Sequence, residues 1–203
     1  MIHGYHMILA AYGFWLPNDP RGSWSDFVGK WELVRFGRAT KSLERRELAQ
    51  LTPVELQQRE AARKTLKYTP VRFSDPQAAA IGRGFADCCF HSQYAIWACA
   101  ILPEHTHLVI SRHRYKVEQI ANRLKGAATR QLMADNLHPL ARFAQRGERP
   151  PRMWAEHQWK VYLDSEQAIE NAIAYVLDNP LKEDKPAQTW PFVTPFTGLD
   201  IGH

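Results

Sequence analysis

Two histidines one residue apart, His105 and His107, lie in the apolar run ILPEHTHLVI. Side chains of a β-strand alternate between its two faces, so both imidazoles should point to the same side as Val109. Two neutral imidazoles held on one rigid strand can bind a single metal cation. The same spacing also suits two ordinary polar residues on a half-exposed strand, so the pair indicates a metal site without proving one.

The elements around this pair are predicted from hydrophobic alternation and turn residues. Segments 94–102 and 105–112 should be strands joined by a tight turn at Pro103-Glu104, which makes an antiparallel hairpin. Further strands are expected at 5–12 and 159–163. The histidine pair therefore opens the second arm of a hairpin.

An amphipathic helix should follow the hairpin. Its apolar stripe, with residues three or four apart, comprises Val117, Ile120, Ala121, Leu124, Ala128 and Leu132. The opposite face should carry Arg123, Lys125 and Arg130. This helix lies in a basic zone of eight positive residues against two negative ones: Arg112, Arg114, Lys116, Arg123, Lys125, Arg130, Arg142 and Arg146 against Glu118 and Asp135. The local charge favours contacts with phosphates, although a solvated helix face would look the same.

The last predicted helix carries a tyrosine beside its core stripe. Tyr175 shares an edge with Asn171 and Asn179, so its ring should look out of the core. Pro180 should end the helix and push Asn179 out of helical geometry. The amide of Asn179 would then be able to turn toward whatever Tyr175 faces. Tyr175 taken alone would more often be an edge-of-core aromatic, and Asn179-Pro180 a plain helix stop.

Length and composition set outer limits on these ideas. The chain has 203 residues, 45% hydrophobic and 23% charged, with a formal net charge of +5. We therefore expect one domain over 1–203. Its mild positive charge is compatible with nucleic acid as a partner but does not require one. No stretch is long and apolar enough for a membrane span, and the start lacks a signal-peptide layout, so a cytoplasmic protein without membrane contact is expected. Cys88, Cys89 and Cys99 lack a metal or redox spacing and should be buried thiols.

A helical insertion is expected at about 31–69. The composition shifts there to Glu, Gln, Arg, Leu and Ala between Lys41 and Lys67. Thr52, Pro53 and Glu55 form a helix-start signal, with Thr52 as the N-cap. Extra contacts to DNA and simple packing are both plausible roles for this segment.

The ordered combination of these motifs resembles the REP-associated tyrosine transposases, single-tyrosine members of the HUH superfamily of nucleases and transposases. The resemblance rests on LPEHTHLVI, on LKG in the basic helix, on a Trp before the last strand and on YVLDNP in the last helix. The opening YGFWLPNDPRG also resembles the start of one transposase-like subgroup. Each motif is short, and the specificity comes from their order along most of the chain.

The resemblance implies a fold and a set of roles. The fold would be α+β and ferredoxin-like, with an antiparallel central sheet and helices mainly on one face. His105 and His107 match the histidines of the HUH motif, Tyr175 the nucleophile, and Asn179 the polar residue that completes the metal site. The cofactor would be Mg²⁺ or Mn²⁺, and the partner single-stranded or hairpin DNA. Monomers and homodimers both occur in the family.

The implied reaction is a transesterification of DNA. A cation would offset charge on the scissile phosphate, and the tyrosine would form a covalent 5′-phosphotyrosine that keeps the bond energy for rejoining. The basic residues Arg112, Arg114, Lys116, Arg123, Lys125 and Arg130 are the expected DNA contacts. No Walker-type phosphate loop is present in the sequence, so no use of ATP is expected.

The sequence contains one departure from the family pattern and is compatible with two rival functions. The family usually has a bulky apolar residue where this chain has Thr106, whose hydroxyl would need a partner if buried. A protein of the same fold that binds DNA hairpins without cleaving them is one alternative. A metal-dependent hydrolase that activates water is the other, and it would tolerate the loss of Tyr175.

Overall fold

The computed structural model describes residues 1–16, 18–20, 31–40 and 48–199 of the chain. Four β-strands and five α-helices lie in these ranges. In chain order they are β1 (Gly4–Ala10), α1 (Trp31–Val34), α2 (Pro53–Lys64), α3 (Asp75–Ser92), β2 (Ile96–Ile101), β3 (His105–Ser111), α4 (Val117–Ala134), β4 (Trp159–Leu163) and α5 (Glu166–Lys182). None of the described helices combines the length and the apolar character that a membrane crossing requires.

The four strands form one antiparallel sheet in the order β2-β3-β1-β4. The predicted hairpin is confirmed, since β2 pairs with β3 and Ile101 lies opposite Thr106. β1 enters between β3 and β4, so that His107 of β3 lies opposite Ile8 of β1. The predicted α+β class with an antiparallel central sheet is confirmed, and β3 and β1 are its central strands.

Helices α3 and α4 pack together on one face of the sheet and enclose the main core. Met7, Leu108 and Ile110 point into this core from β1 and β3. The apolar stripe predicted for α4 is confirmed, because each of its members is buried there: Val117, Ile120, Ala121, Leu124, Ala128 and Leu132. A Cβ added to Gly84 of α3 would lie 2.8 Å from the carbonyl oxygen of Ala127, so the close approach of the two helices depends on this glycine.

Helix α5 packs on the other face of the sheet, where Phe196 and Leu199 of the segment after it also contact the cluster. Its buried stripe of Ile169, Ala172 and Val176 packs on Ala98 and Val109 of the sheet. The prediction that Pro180 ends this helix is wrong, because the helix continues to Lys182. A proline in the last turn removes a single helical hydrogen bond, and the packing of α5 on the sheet holds the helix through that position.

The predicted insertion at about 31–69 contains α1 and α2, while its residues 41–47 lie outside the described ranges. The predicted helix start is confirmed, since Thr52 and Glu55 form a capping box at the N-terminus of α2. Leu33, Ala62 and Leu16 form a small separate cluster that joins α1 and α2 to the loop after β1. The assignment of 1–203 as a single domain stays a prediction.

A buried ion pair fastens α2 to the loop after β1. Arg59 Nε lies 3.2 Å from Asp19 Oδ2, and the two side chains are 5% and 1% exposed. Buried charges of this kind stabilise a fold only as a pair, because either one alone would be desolvated without compensation. The pair therefore fixes the position of the insertion against the loop.

We expect Asp19→Ala to lower the free energy of unfolding by about 3 kcal/mol, because it removes the buried carboxylate that faces Arg59 Nε, while the ion pair of Arg59 with the 55% exposed Glu60 remains. Urea unfolding followed by circular dichroism measures the change. Arg72→Gln is the control, since Arg72 is 65% exposed where it pairs with Glu104 and exposed pairs contribute about 1 kcal/mol or less. Equal stability of the Asp19 variant and the wild type would contradict the assigned role.

Candidate active site

His105 and His107 of β3 point toward α5, on the face of the sheet away from the main core. Val109 lies in the cluster under α5, whereas Leu108 and Ile110 lie in the core under α3 and α4, which fixes the direction of alternation along β3. The two imidazole rings have centroids 4.7 Å apart. Both histidines are buried, and His107 is 0% exposed. The structure thus brings the two rings together on one face, as the spacing predicts.

Tyr175 of α5 lies against His107 and faces solvent at the same time. The centroid of its ring is 5.6 Å from that of His107, in an edge-on arrangement. The side chain is 41% exposed. Lys182 Nζ lies over the same ring at 4.9 Å from the centroid. The phenol therefore borders the imidazoles without being enclosed in the core.

Asn179 lies one turn after Tyr175 on the buried stripe of α5. The prediction that it leaves helical geometry is wrong, because α5 continues past it. Its Nδ2 donates a hydrogen bond to the carbonyl oxygen of Tyr175 at 2.9 Å. This bond occupies the nitrogen end of the amide, so Oδ1 is the atom that it could offer to a cation. Its role as a metal ligand stays a prediction.

His6 of β1 is a third imidazole at this site, and sequence reasoning gave it no role. His6 Nε2 lies 3.0 Å from His107 Nδ1. The His6 ring also contacts those of Tyr175 and Trp159 edge-on, with centroids 5.6 and 5.4 Å away. Burial lowers the pKa of His6 to about 4, so the ring is neutral at neutral pH. The missed signal was the register of β1 on β3, which places His6 opposite Val109.

Phe14, in the loop after β1, covers His105. The two rings stack with centroids 4.9 Å apart and planes 2° from parallel. The turn that precedes His105 is held as well, since Glu104 forms ion pairs with Arg63 of α2 at 3.5 Å and with Arg72 at 2.7 Å. The insertion and the loop after β1 together support the start of β3.

The donor chemistry of the site suits a divalent cation with mixed nitrogen and oxygen ligands. Among residues 1–16, 18–20, 31–40 and 48–199, no group of three or more His, Cys, Asp or Glu side chains is arranged to hold a metal. A cation here would therefore be held by the imidazoles of His105 and His107 and by oxygen atoms, among them Asn179 Oδ1. Such a set fits Mn²⁺ and, with more oxygen ligands, Mg²⁺.

Three of the predicted DNA contacts, Arg112, Arg114 and Lys116, follow the end of β3 opposite to His105, about 20 Å along the strand at ~3.3 Å per residue. The exposed members of this set are Arg112, Arg114, Lys116, Arg123 and Arg130. The guanidinium carbons of Arg123 and Arg114 lie over the Tyr115 ring, at 4.4 and 5.1 Å from its centroid. Arg112, Arg114, Lys116 and Arg123, together with Tyr115, are called the basic surface below.

Lys125 does not belong to this surface, and its predicted exposure is wrong. The side chain is 7% exposed, and Nζ donates to the carbonyl oxygens of Ala155, Glu156 and His157 at 2.9, 3.4 and 3.3 Å. Burial lowers the pKa of Lys125 to about 8, which still leaves an ammonium at neutral pH. Lys125 ties α4 to the segment before β4, and its ammonium is not available to a phosphate.

Thr106 points away from the histidines, into the main core. It is fully buried beside residues such as Leu108 and Ile110, on the face under α3 and α4. Its hydroxyl oxygen has no hydrogen-bond partner within the described ranges. The departure from the family pattern at this position therefore concerns packing and stability, and the chemistry on the other face is separated from it by the strand.

Comparisons with known proteins give structural likenesses. No protein-family profile matches the chain, and no curated protein matches it. A structure of a REP-associated tyrosine transposase bound to a REP hairpin is similar over 99% of this chain and 93% of that one, at 12% identity and a TM-score of 0.47. A protein of Deinococcus radiodurans R1, provisionally described as a transposase, covers 92% and 94% at 12% identity and a TM-score of 0.42. The first neighbour carries the name of the family that the sequence motifs resemble.

We expect Thr106→Val to raise the free energy of unfolding by about 1 kcal/mol, because it replaces a buried hydroxyl without a partner by a methyl group of similar shape. Thermal and urea unfolding measure the gain. Thr129→Val is the control, since the Thr129 hydroxyl donates to the Lys125 carbonyl oxygen at 2.7 Å and its removal should bring no gain. Destabilisation by Thr106→Val would show that the hydroxyl has a stabilising partner.

Proposed function

We propose that this protein is a metal-dependent, single-strand-specific DNA transesterase of the transposase type, which cleaves and rejoins DNA through a 5′-phosphotyrosine at Tyr175. The observation that carries the proposal is the position of Tyr175, half exposed and edge-on to the His107 ring at 5.6 Å. A phenol with a solvent-facing side and a buried imidazole cluster beside it can meet a phosphate that enters from solvent.

In the cleavage step, Tyr175 Oη attacks the phosphorus of the scissile phosphodiester. The bond from Oη to phosphorus forms, and the bond from phosphorus to the 3′ oxygen breaks. The phenol loses its proton, and the 3′ oxygen gains one and leaves as a free hydroxyl. Attack of a 3′-hydroxyl on the phosphotyrosine reverses these events, so cleavage and rejoining need no nucleotide cofactor.

The residues of this chain supply position and charge for that step. His105, His107 and Asn179 would hold Mg²⁺ or Mn²⁺, which when bound offsets the charge that develops on the phosphate oxygens. Lys182 lies over the Tyr175 ring at 4.9 Å, and a cation there favours an anionic phosphate close to the phenol. Phe14 and the insertion hold the start of β3 still, which keeps the imidazoles in place between turnovers.

The DNA is proposed to cross the basic surface at the far end of β3. Single-stranded segments and hairpins combine phosphates, which guanidinium groups neutralise, with bases that stack on aromatic rings. Tyr115 with Arg114 and Arg123 offers both kinds of contact. The distance of about 20 Å from His105 matches roughly six base steps of a duplex at 3.4 Å each. In this arrangement the hairpin stem would lie on the basic surface and its scissile strand at Tyr175.

The two rival functions differ from this proposal in what they leave behind. A hairpin-binding protein without activity was suggested by Thr106, but that side chain lies across the strand from the imidazoles. A hydrolase that activates water would release free phosphate ends and would not attach to DNA. Neither rival requires an exposed tyrosine beside the histidines.

Tyr175→Phe is expected to abolish a covalent complex with an oligonucleotide, because it removes the attacking oxygen and keeps the ring. Incubation with a labelled hairpin oligonucleotide and Mn²⁺, followed by denaturing electrophoresis, detects the adduct. Tyr162→Phe is the matched control, since Tyr162 is an exposed tyrosine of β4 that should form the adduct normally. An adduct of wild-type yield with Tyr175→Phe would refute the nucleophile. Cleavage with free phosphate ends by that variant would establish the hydrolase instead.

Arg123→Gln is expected to weaken hairpin binding and to reduce the slope of log affinity against log salt by about 0.7 to 0.9, since one phosphate contact is lost. Fluorescence anisotropy over a series of salt concentrations measures both effects. Arg83→Gln serves as the control, because Arg83 is an exposed arginine of α3 that pairs with Asp135. An unchanged slope for Arg123→Gln would place the DNA elsewhere.

A further inference from the structure

We propose that His6 is the positioning residue of this site: it accepts a hydrogen bond from His107 Nδ1–H and so directs the lone pair of His107 Nε2 to the cation. The inference rests on the proposed metal site and adds to it a third histidine, from a different strand. The observation behind it is the contact of 3.0 Å between His6 Nε2 and His107 Nδ1.

The protonation states follow from the chemistry of imidazole. A neutral ring carries its proton on one nitrogen and a lone pair on the other. For His107 to offer Nε2 to a cation, its proton must be on Nδ1. That proton then points to His6 Nε2, which must itself be the acceptor. A ligand imidazole whose second nitrogen donates to a fixed partner is the usual arrangement in metal sites, and the partner sets both the tautomer and the ring orientation.

The distance between His6 and His107 indicates that His6 is a hydrogen-bond partner of the metal ligand His107 and is not itself a ligand. The two nitrogens face each other at 3.0 Å, which is a hydrogen-bond distance. A cation midway between them would lie about 1.5 Å from each, whereas metal–imidazole distances are about 2.0–2.1 Å. The three histidines also do not form a metal-holding group in the described part of the chain. The spacing between the two nitrogens therefore fits a hydrogen bond and is too short for a cation bound by both.

The surroundings of His6 hold its ring in place. β1 is a central strand, and His6 is paired with Val109 on one side and Val161 on the other. Trp159 and Tyr175 contact the ring edge-on, and the side chain is buried. A rotation of the His6 ring would disturb these contacts, so the acceptor nitrogen is presented in one direction. This fixed acceptor is what a positioning role requires.

Two substitutions of His6 distinguish a role in orienting His107 from a role in packing alone. H6Q places an amide oxygen near the position of Nε2 and can still accept from His107, whereas H6M fills similar space without an acceptor of comparable strength. Titration calorimetry with MnCl₂ should show H6M about 10- to 100-fold weaker than the wild type, the usual effect of removing such a partner. H6Q should stay within about threefold of the wild type on the same scale.

Pulsed electron paramagnetic resonance on the Mn²⁺-loaded protein counts the histidine nitrogens on the metal. Two are expected in the wild type, in H6Q and in H6M at saturating Mn²⁺, and one in H105Q, which serves as the control for a true ligand. Three nitrogens in the wild type, or one fewer in H6Q, would make His6 a ligand and overturn the proposal. Wild-type Mn²⁺ affinity in H6M would overturn it as well, since His6 would then serve packing alone.

Failure of this inference is distinguishable from failure of the proposed function. A wild type that binds Mn²⁺ and forms the Tyr175 adduct while H6M binds Mn²⁺ equally well would refute the role of His6 alone. A wild type that binds no Mn²⁺ would refute both. The count of nitrogens in the wild type needs no variant, so the test holds even if H6M folds poorly.

Discussion

The candidate site depends on one constraint: β3 is a central strand with both faces covered. In such a strand each side chain is committed to one of two environments, and a shift of one residue would exchange them. Here the alternation directs His105 and His107 toward α5 and Thr106 and Leu108 toward the main core. The core side chains fix the register, and the register fixes the imidazoles. The precision of the site thus comes from the packing of its opposite face.

A second set of contacts holds the edge of the site. Phe14 stacks on His105, and Glu104 links the start of β3 to α2 through Arg63. The buried pair of Arg59 and Asp19 joins that same helix to the loop that carries Phe14. Side chains that act on a phosphate must keep their geometry before the substrate arrives. The insertion therefore has a structural reason to be present, whether or not it also touches DNA.

The sequence allowed much of the fold to be predicted, because hairpins, capping boxes and amphipathic stripes are local patterns. The hairpin of β2 and β3 and the capping box of α2 are of this kind. The predictions that were wrong or missing involve contacts between distant segments. His6 joins the site because β1 pairs with β3, which brings its ring to that of His107, 101 residues away in the chain. Lys125 is buried because a remote loop supplies three carbonyl oxygens, and packing on the sheet carries α5 through Pro180. Neither composition nor spacing contains that information.

The central claim is that Tyr175 Oη forms the covalent bond to the DNA phosphate. Its most direct test is tandem mass spectrometry of the protein after reaction with a hairpin oligonucleotide and Mn²⁺, with nuclease and protease digestion before the measurement. The account predicts a nucleotide phosphate on the peptide that contains Tyr175, attached to the tyrosine oxygen. A nucleotide attached to any other residue, or strand cleavage without an attached peptide, would contradict it.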